Sequence, residues 1–315
     1  MKATLLAGGT GGTKLAHGFS MLPQVELTVI ANVGDDVEMH GLLVCPDIDA
    51  LLYTLAGLID ADRGWGVRDD THTAHEMFER LGEPTWFRIG DADLAMHAHR
   101  TRLLREEEAS LTDAVAAMAT ALGIGSRILP ATDDRWRTLL DTDAGPLEFQ
   151  DYFVRHRQQP EVSGVRFAGD ARPTDAVLQA IATADLVVIG PSNPIVSIGP
   201  ILALPGVTDA LRAARTRTVA VSPIVAGRAL KGPADRMLAS LGHESSALGV
   251  ARIYAGLAAH FVLDETDAGL SPDVAALGMT STAMQTVMRS DADRATLAGA
   301  ILAHHGLAAR GATPG

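Results

Sequence analysis

Apolar residues fall in short, nearly unbroken runs separated by longer stretches in which they recur every three or four positions. The runs Thr4–Ala7, Glu26–Val33, Asp185–Gly190, Arg217–Ser222 and His260–Leu263 are rich in Val, Ile and Leu, as expected of parallel strands covered on both faces. Their alternation with helical stretches predicts an α/β fold, a Rossmann-like doubly wound and mostly parallel sheet. Several runs lead straight into Gly, Ser or Pro, which marks the strand exits where open α/β sheets bind ligands. Between about Asp60 and Gln159 the strand signal fades, and Asp91–Glu108 and Leu111–Leu122 read as helices. A single domain over residues 1–315 is therefore expected, with a mostly helical insertion or lid at about 60–160. Beyond Pro272 the pattern again reads as helical, and Ala308–Gly315 as a frayed tail.

Composition narrows the classes of partner. With 47% hydrophobic residues in 315 the chain can bury a substantial core. A net charge of −12 opposes nonspecific nucleic-acid binding, which depends on neutralising phosphates. No segment approaches the ~20 apolar residues of a membrane span, and Met1-Lys2-Ala3-Thr4 runs directly into the first strand without room for a signal peptide. A cytoplasmic protein with no nucleic-acid or membrane partner is the expectation. The one cysteine, Cys45, excludes an internal disulfide and reads as a small buried residue.

The first strand exit, Gly8-Gly9-Thr10-Gly11-Gly12-Thr13-Lys14, brings glycines, a hydroxyl and an ammonium to the start of a helix. That pattern delivers backbone N–H groups, a helix dipole and a lysine to phosphate. Its spacing is neither the dinucleotide fingerprint nor a Walker loop, and glycines at such a turn also serve geometry alone. The second exit, Asn32-Val33-Gly34-Asp35-Asp36, is followed by Cys45-Pro46-Asp47-Ile48-Asp49. Hard carboxylate oxygens of this kind suit Mg²⁺; Asp47 after Pro46 also fits a helix start, and an acidic pair after the second strand can hold a ribose.

The third exit, Gly190-Pro191-Ser192-Asn193-Pro194, offers hydrogen bonds to a base or phosphate from a stiff loop, or is an ordinary rigid turn. The fourth, Ser222 to Pro233, adds Arg228 and Lys231, cations beside glycines that suit phosphate or stay solvated. In the insertion, Gly64-Trp65-Gly66 sets an indole between glycines where a flat ring could lie, although a lone tryptophan is commonly core. The pairs His72/His75 and His97/His99 lack a third metal ligand nearby and read as structural.

Six of these segments, in this order and over most of the first 235 residues, closely resemble the phospholactate or phosphoenolpyruvate transferase family of coenzyme F-420 biosynthesis. They are Gly8–Gly12, Asn32–Asp36 with Met39-His40-Gly41, Cys45–Asp49, Gly64-Trp65-Gly66, Gly190–Pro194 with Ser197–Pro200, and Ser222-Pro223-Ile224. The resemblance implies a homodimer that takes a three-carbon acid activated by guanosine diphosphate and transfers its phosphoryl-linked part to the ribityl hydroxyl of the deazaflavin acceptor Fo, releasing GMP. On this reading Asp35, Asp36 and Asp49 are catalytic, and Asp35, Asp47 and Asp49 hold Mg²⁺. Gly8, Gly9, Thr10, Gly11, Gly12, Lys14, Ser192, Asn193, Arg228 and Lys231 bind the nucleotide and its phosphates. Asn32, Asp36, His40, Trp65 and Gly66 meet Fo. A rival from another class is a non-enzymatic UDP-sugar-binding regulator of the gluconeogenesis-factor type, which begins with a similar glycine turn but carries Gly-Pro-Gly-Ser at the third exit.

Overall fold

In the computed structural model, which describes residues 1–311, seven strands form one sheet. Their order is Thr280–Met284, His260–Asp264, Thr218–Val221, Leu186–Ile189, Lys2–Ala7, Glu26–Ala31 and Arg127–Pro130. Every neighbouring pair is parallel. The order reverses between Lys2–Ala7 and Leu186–Ile189, the topological switch point at which such sheets hold ligands. The central strands Leu186–Ile189 and Thr218–Val221 are buried at every position, because helices cover both faces and leave no polar side to alternate with. Among the described residues no helix is long and apolar enough to cross a membrane.

The middle of the chain departs from the expected helical insertion. Helices run over Thr73–Arg80, Asp91–Glu106 and Leu111–Ala121, but Arg127–Pro130 then returns to the central sheet as its edge strand. Next come Arg137–Thr142, Gly145–Glu148 and Val162–Ala168, a separate three-stranded antiparallel sheet. The edge strand escapes a periodicity reading because it has four residues and ends on a proline, tolerated only where no ladder partner is needed. Thr280–Met284 likewise interrupts the expected C-terminal helices; its Thr-Ser-Thr-Ala-Met sequence is half polar, as suits the other edge. The last helix, Asp291–Gly311, takes in the first part of the segment read as a frayed tail, whose remainder lies outside the described residues.

Candidate functional site

The strand exits converge on a cavity of about 860 Å³ at the switch point. The glycine turn starts the Gly9–Ser20 helix and packs directly against the loop after Leu186–Ile189. A β-carbon on Gly11 would lie 2.0 Å from the Pro191 carbonyl oxygen, and one on Gly8 would lie 2.8 Å from Asp47 Oδ2. These glycines are thus demanded by close approach of two exits.

The cavity wall brings together Gly8, Gly9, Thr10, Gly11, Lys14, Asp35, Asp47, Asp49, Trp65, Gly66, Ser192, Asn193 and Lys231 of the expected residues. Ser192 Oγ is buried there without a partner, whereas Asn193 spends its Oδ1 on the Ile195 backbone N–H at 2.9 Å. Gly12, Asn32, Asp36, His40 and Arg228 do not line the wall. Asn32 instead donates to Asp47 Oδ2 at 2.9 Å and accepts from the Gly34 N–H at 2.8 Å. His40 takes a left-handed backbone (φ 51°) at the turn joining Val37–Met39 to Leu42–Val44, and its ring stacks on Phe78 at 3.8 Å. Asp36 points beneath the cavity toward Cys45, Arg100 and Arg137, where burial pushes its carboxyl up to about 7 against the pull of those groups.

The aspartates do not form the expected triad of metal ligands. Asp35 and Asp47 are buried side by side; burial first, and the neighbouring Asp47 charge second, hold Asp35 well above the usual carboxylate range, and burial raises Asp47 as well. Asp47 Oδ1 accepts the Gly9 N–H at 2.6 Å, fixing the glycine turn, while Asp35 Oδ1 has no partner. No cationic side chain contributes to the titration of either. Asp49, by contrast, is ion-paired with the fully buried Arg100, which also donates to the Leu43 carbonyl at 3.1 Å. Among the described residues no three His, Cys, Asp or Glu converge as metal ligands. The donor set that fits a divalent ion is the Asp35/Asp47 pair, two carboxylates short of positive charge at an open cavity.

Arg100 is one member of a buried polar stripe that the helix Asp91–Glu106 presents to the cavity floor. His97 lies 3.5 Å from Asp49 and 3.3 Å from Asp93, and Tyr53 donates to Asp93 at 2.5 Å. Burial alone would raise the Asp93 carboxyl, but His97 and Tyr53 outweigh it and hold it low. His97 therefore belongs to the site rather than to the scaffold alone. The signal was present in the sequence: Asp93, His97 and Arg100 are spaced four and three apart, on one helix face.

Sequence reading also missed the aromatic part of the lining. Trp86 and Phe87, packed in one apolar cluster, and Phe149 and Phe153, packed in another, line the cavity together with Lys14, Lys231 and Arg289. The loop 286–289 enters because Asp264, at the end of its strand, accepts from both the backbone N–H and the hydroxyl of Thr286, and Lys14 Nζ donates to the Met288 carbonyl at 2.9 Å. A segment read as helical thus supplies a wall.

Fold and site define a doubly wound α/β protein whose cavity joins a glycine turn and lysines to an acidic pair and aromatic side chains. Residues 3–299 match the family described as 2-phospho-L-lactate transferase CofD, and the chain belongs to that family. The chain is 41% identical over 300 residues to the 2-phospho-L-lactate transferase of Methanothermobacter thermautotrophicus, covering 95% of this chain and 96% of that protein. It is 40% identical over 297 residues to the phosphoenolpyruvate transferase of Streptomyces griseus, covering 91% and 93%. A solved UPF0052-family protein from Bacillus halodurans shares the fold, with a TM-score of 0.62 at 18% identity over 96% of this chain and all of that one.

Proposed function

We propose that this chain transfers a phospholactyl or phosphoenolpyruvyl group from a guanosine-diphosphate-activated donor to the ribityl hydroxyl of Fo, in coenzyme F-420 biosynthesis. The hydroxyl oxygen forms the new bond to phosphorus, the bond from that phosphorus to the GMP oxygen breaks, and a phosphodiester remains. The observation that carries the reading is the family match over residues 3–299, joined to a cavity whose parts suit those substrates. Displacement at phosphorus needs alignment and neutralised charge more than covalent help. The turn Gly8–Gly11 and the ammonium groups of Lys14 and Lys231 supply donors and positive charge for a diphosphate. Asp35 and Asp47 would hold Mg²⁺, which when bound adds positive charge against the phosphoryl oxygens. Asp35, on the wall with an unpartnered oxygen, would accept the proton of the attacking hydroxyl, and Asp36 is not on that wall. The aromatic side chains of Trp86, Phe87, Phe149 and Phe153 on the lining suit a flat ring and help exclude water from the donor.

The test is product mass after incubation of the purified protein with Fo and each synthetic donor in Mg²⁺. Phosphodiester product is expected from one donor or both, and the Asp35→Asn variant should lose at least about a hundredfold in turnover while melting like the parent. Absence of product from every donor, or an undiminished Asp35→Asn rate, sinks the reading.

A further inference from the structure

Two loops distant in sequence meet across the mouth of the cavity. One runs through Gly64, Trp65 and Gly66, the other through Leu230, Lys231 and Gly232, and all six residues line the opening. A single side-chain hydrogen bond joins the loops: Lys231 Nζ donates to the Arg63 carbonyl at 2.8 Å. The ammonium rests on Gly64, where an added β-carbon would lie 2.7 Å from Nζ and 3.9 Å from Thr10 Cγ2 of the phosphate-type turn. Its charge is felt at Lys14. Both lysines therefore stand at the glycine turn, and each donates to a neutral carbonyl, Arg63 for one and Met288 for the other.

The strapped loop is built to move. Trp65 is 44% exposed and Leu230 is 61% exposed, two large apolar side chains left on the rim. Trp65 sits between glycines with φ of 72° and 71°, so rotation of its backbone meets little steric resistance. The Arg63 guanidinium lies 5.3 Å from the indole centroid and binds Asp60 at 2.6 Å, so a cation anchored on Asp60 stands beside the ring.

We propose that Lys231 is a positioning residue that exchanges the Arg63 carbonyl for a phosphate oxygen when a nucleoside diphosphate enters, and that this exchange frees the Gly64–Gly66 loop to lay Trp65 over the flat ring of the acceptor. A phosphate oxygen is the stronger acceptor because the bond to it is charge-assisted. The consequence is an order of binding, donor before acceptor, which keeps the activated donor covered only when a hydroxyl is present to attack it. The identity of the acceptor rests on the transferase reading above.

The experiment uses the full chain, with GDP and Fo as probes. GDP should change the tryptophan emission of the parent and not that of Trp65→Phe. It should tighten Fo binding at least about tenfold in the parent, the size of a coupling near 1.4 kcal/mol. Lys231→Met should melt normally and bind GDP more weakly by calorimetry, yet with GDP saturating it should lose both responses, binding Fo without GDP about as tightly as the parent does with it. Lys231→Arg, which keeps a cation on the loop, should restore them. A parent that makes product while binding Fo equally with and without GDP overturns the latch and leaves the transferase reading standing. A full Trp65 response in GDP-bound Lys231→Met overturns it as well. A parent that neither binds GDP nor makes product overturns both.

Discussion

Asp36 gives a quantitative test of the electrostatics beneath the cavity. Its carboxyl titrates near 7 in the fold and at 3.8 in the open chain, because burial penalises the charged form more than Arg137, the Cys45 thiol and Arg100 favour it. The folded state therefore binds a proton more readily than the unfolded state between those two values, so this contribution to stability is complete below pH ~4 and lost as pH rises through ~7. Each pH unit of separation is worth roughly 1.4 kcal/mol, about 4 kcal/mol in all. Asparagine has the shape of the protonated acid and keeps an oxygen for the Cys45 thiol. Asp36→Asn should therefore exceed the parent by only about 1 kcal/mol near pH 4.5 and by about 4 kcal/mol at pH 8. Urea unfolding of both proteins at pH 5, 6.5 and 8, without added metal, reads the difference directly, since every other titrating group cancels. A difference that stays constant over this range, or a parent that is the more stable at pH 8, refutes the reasoning.

Two further outcomes follow from the packing. Removing either partner of the Arg100/Asp49 pair strands a buried charge or donor set, so Arg100→Met and Asp49→Leu should each cost about 3 to 5 kcal/mol in chemical denaturation, while Arg100→Met/Asp49→Leu should cost much less than the sum; additive losses would show that the pair is not a unit. Gly11→Ala drives a methyl to 2.0 Å from the Pro191 carbonyl, forcing the first and third exits apart, and should abolish GDP binding by calorimetry; parental affinity would show that the two loops yield freely.

Much of the fold was legible because strands buried on both faces write themselves as unbroken Val, Ile and Leu, and the switch-point exits carry Gly, Pro and Ser where the backbone must turn. Arg127–Pro130 and Thr280–Met284 were not legible, since an edge strand has one partner and little to bury, so neither length nor periodicity marks it. The glycine turn, Asp35, Asp47, Trp65, Ser192 and Lys231 could be picked out as cavity residues from local spacing. Which way a side chain points could not. Asp35 and Asp36 are adjacent, yet the turn closed by the Asp36 N–H on the Val33 carbonyl sets one on the cavity wall and the other toward Cys45.

The sequence by itself determined the five inner strands of the sheet, their exits and the family, because those depend on patterns a few residues long. Only the tertiary structure decided that Arg100 withdraws Asp49 from the acidic group, that aromatic residues from two separate segments line one cavity, and that Lys231 reaches across to Arg63. Each of these is a contact between residues some fifty to nearly two hundred positions apart, or a choice between two faces of one element, and both are fixed by packing and burial after the chain has closed on itself.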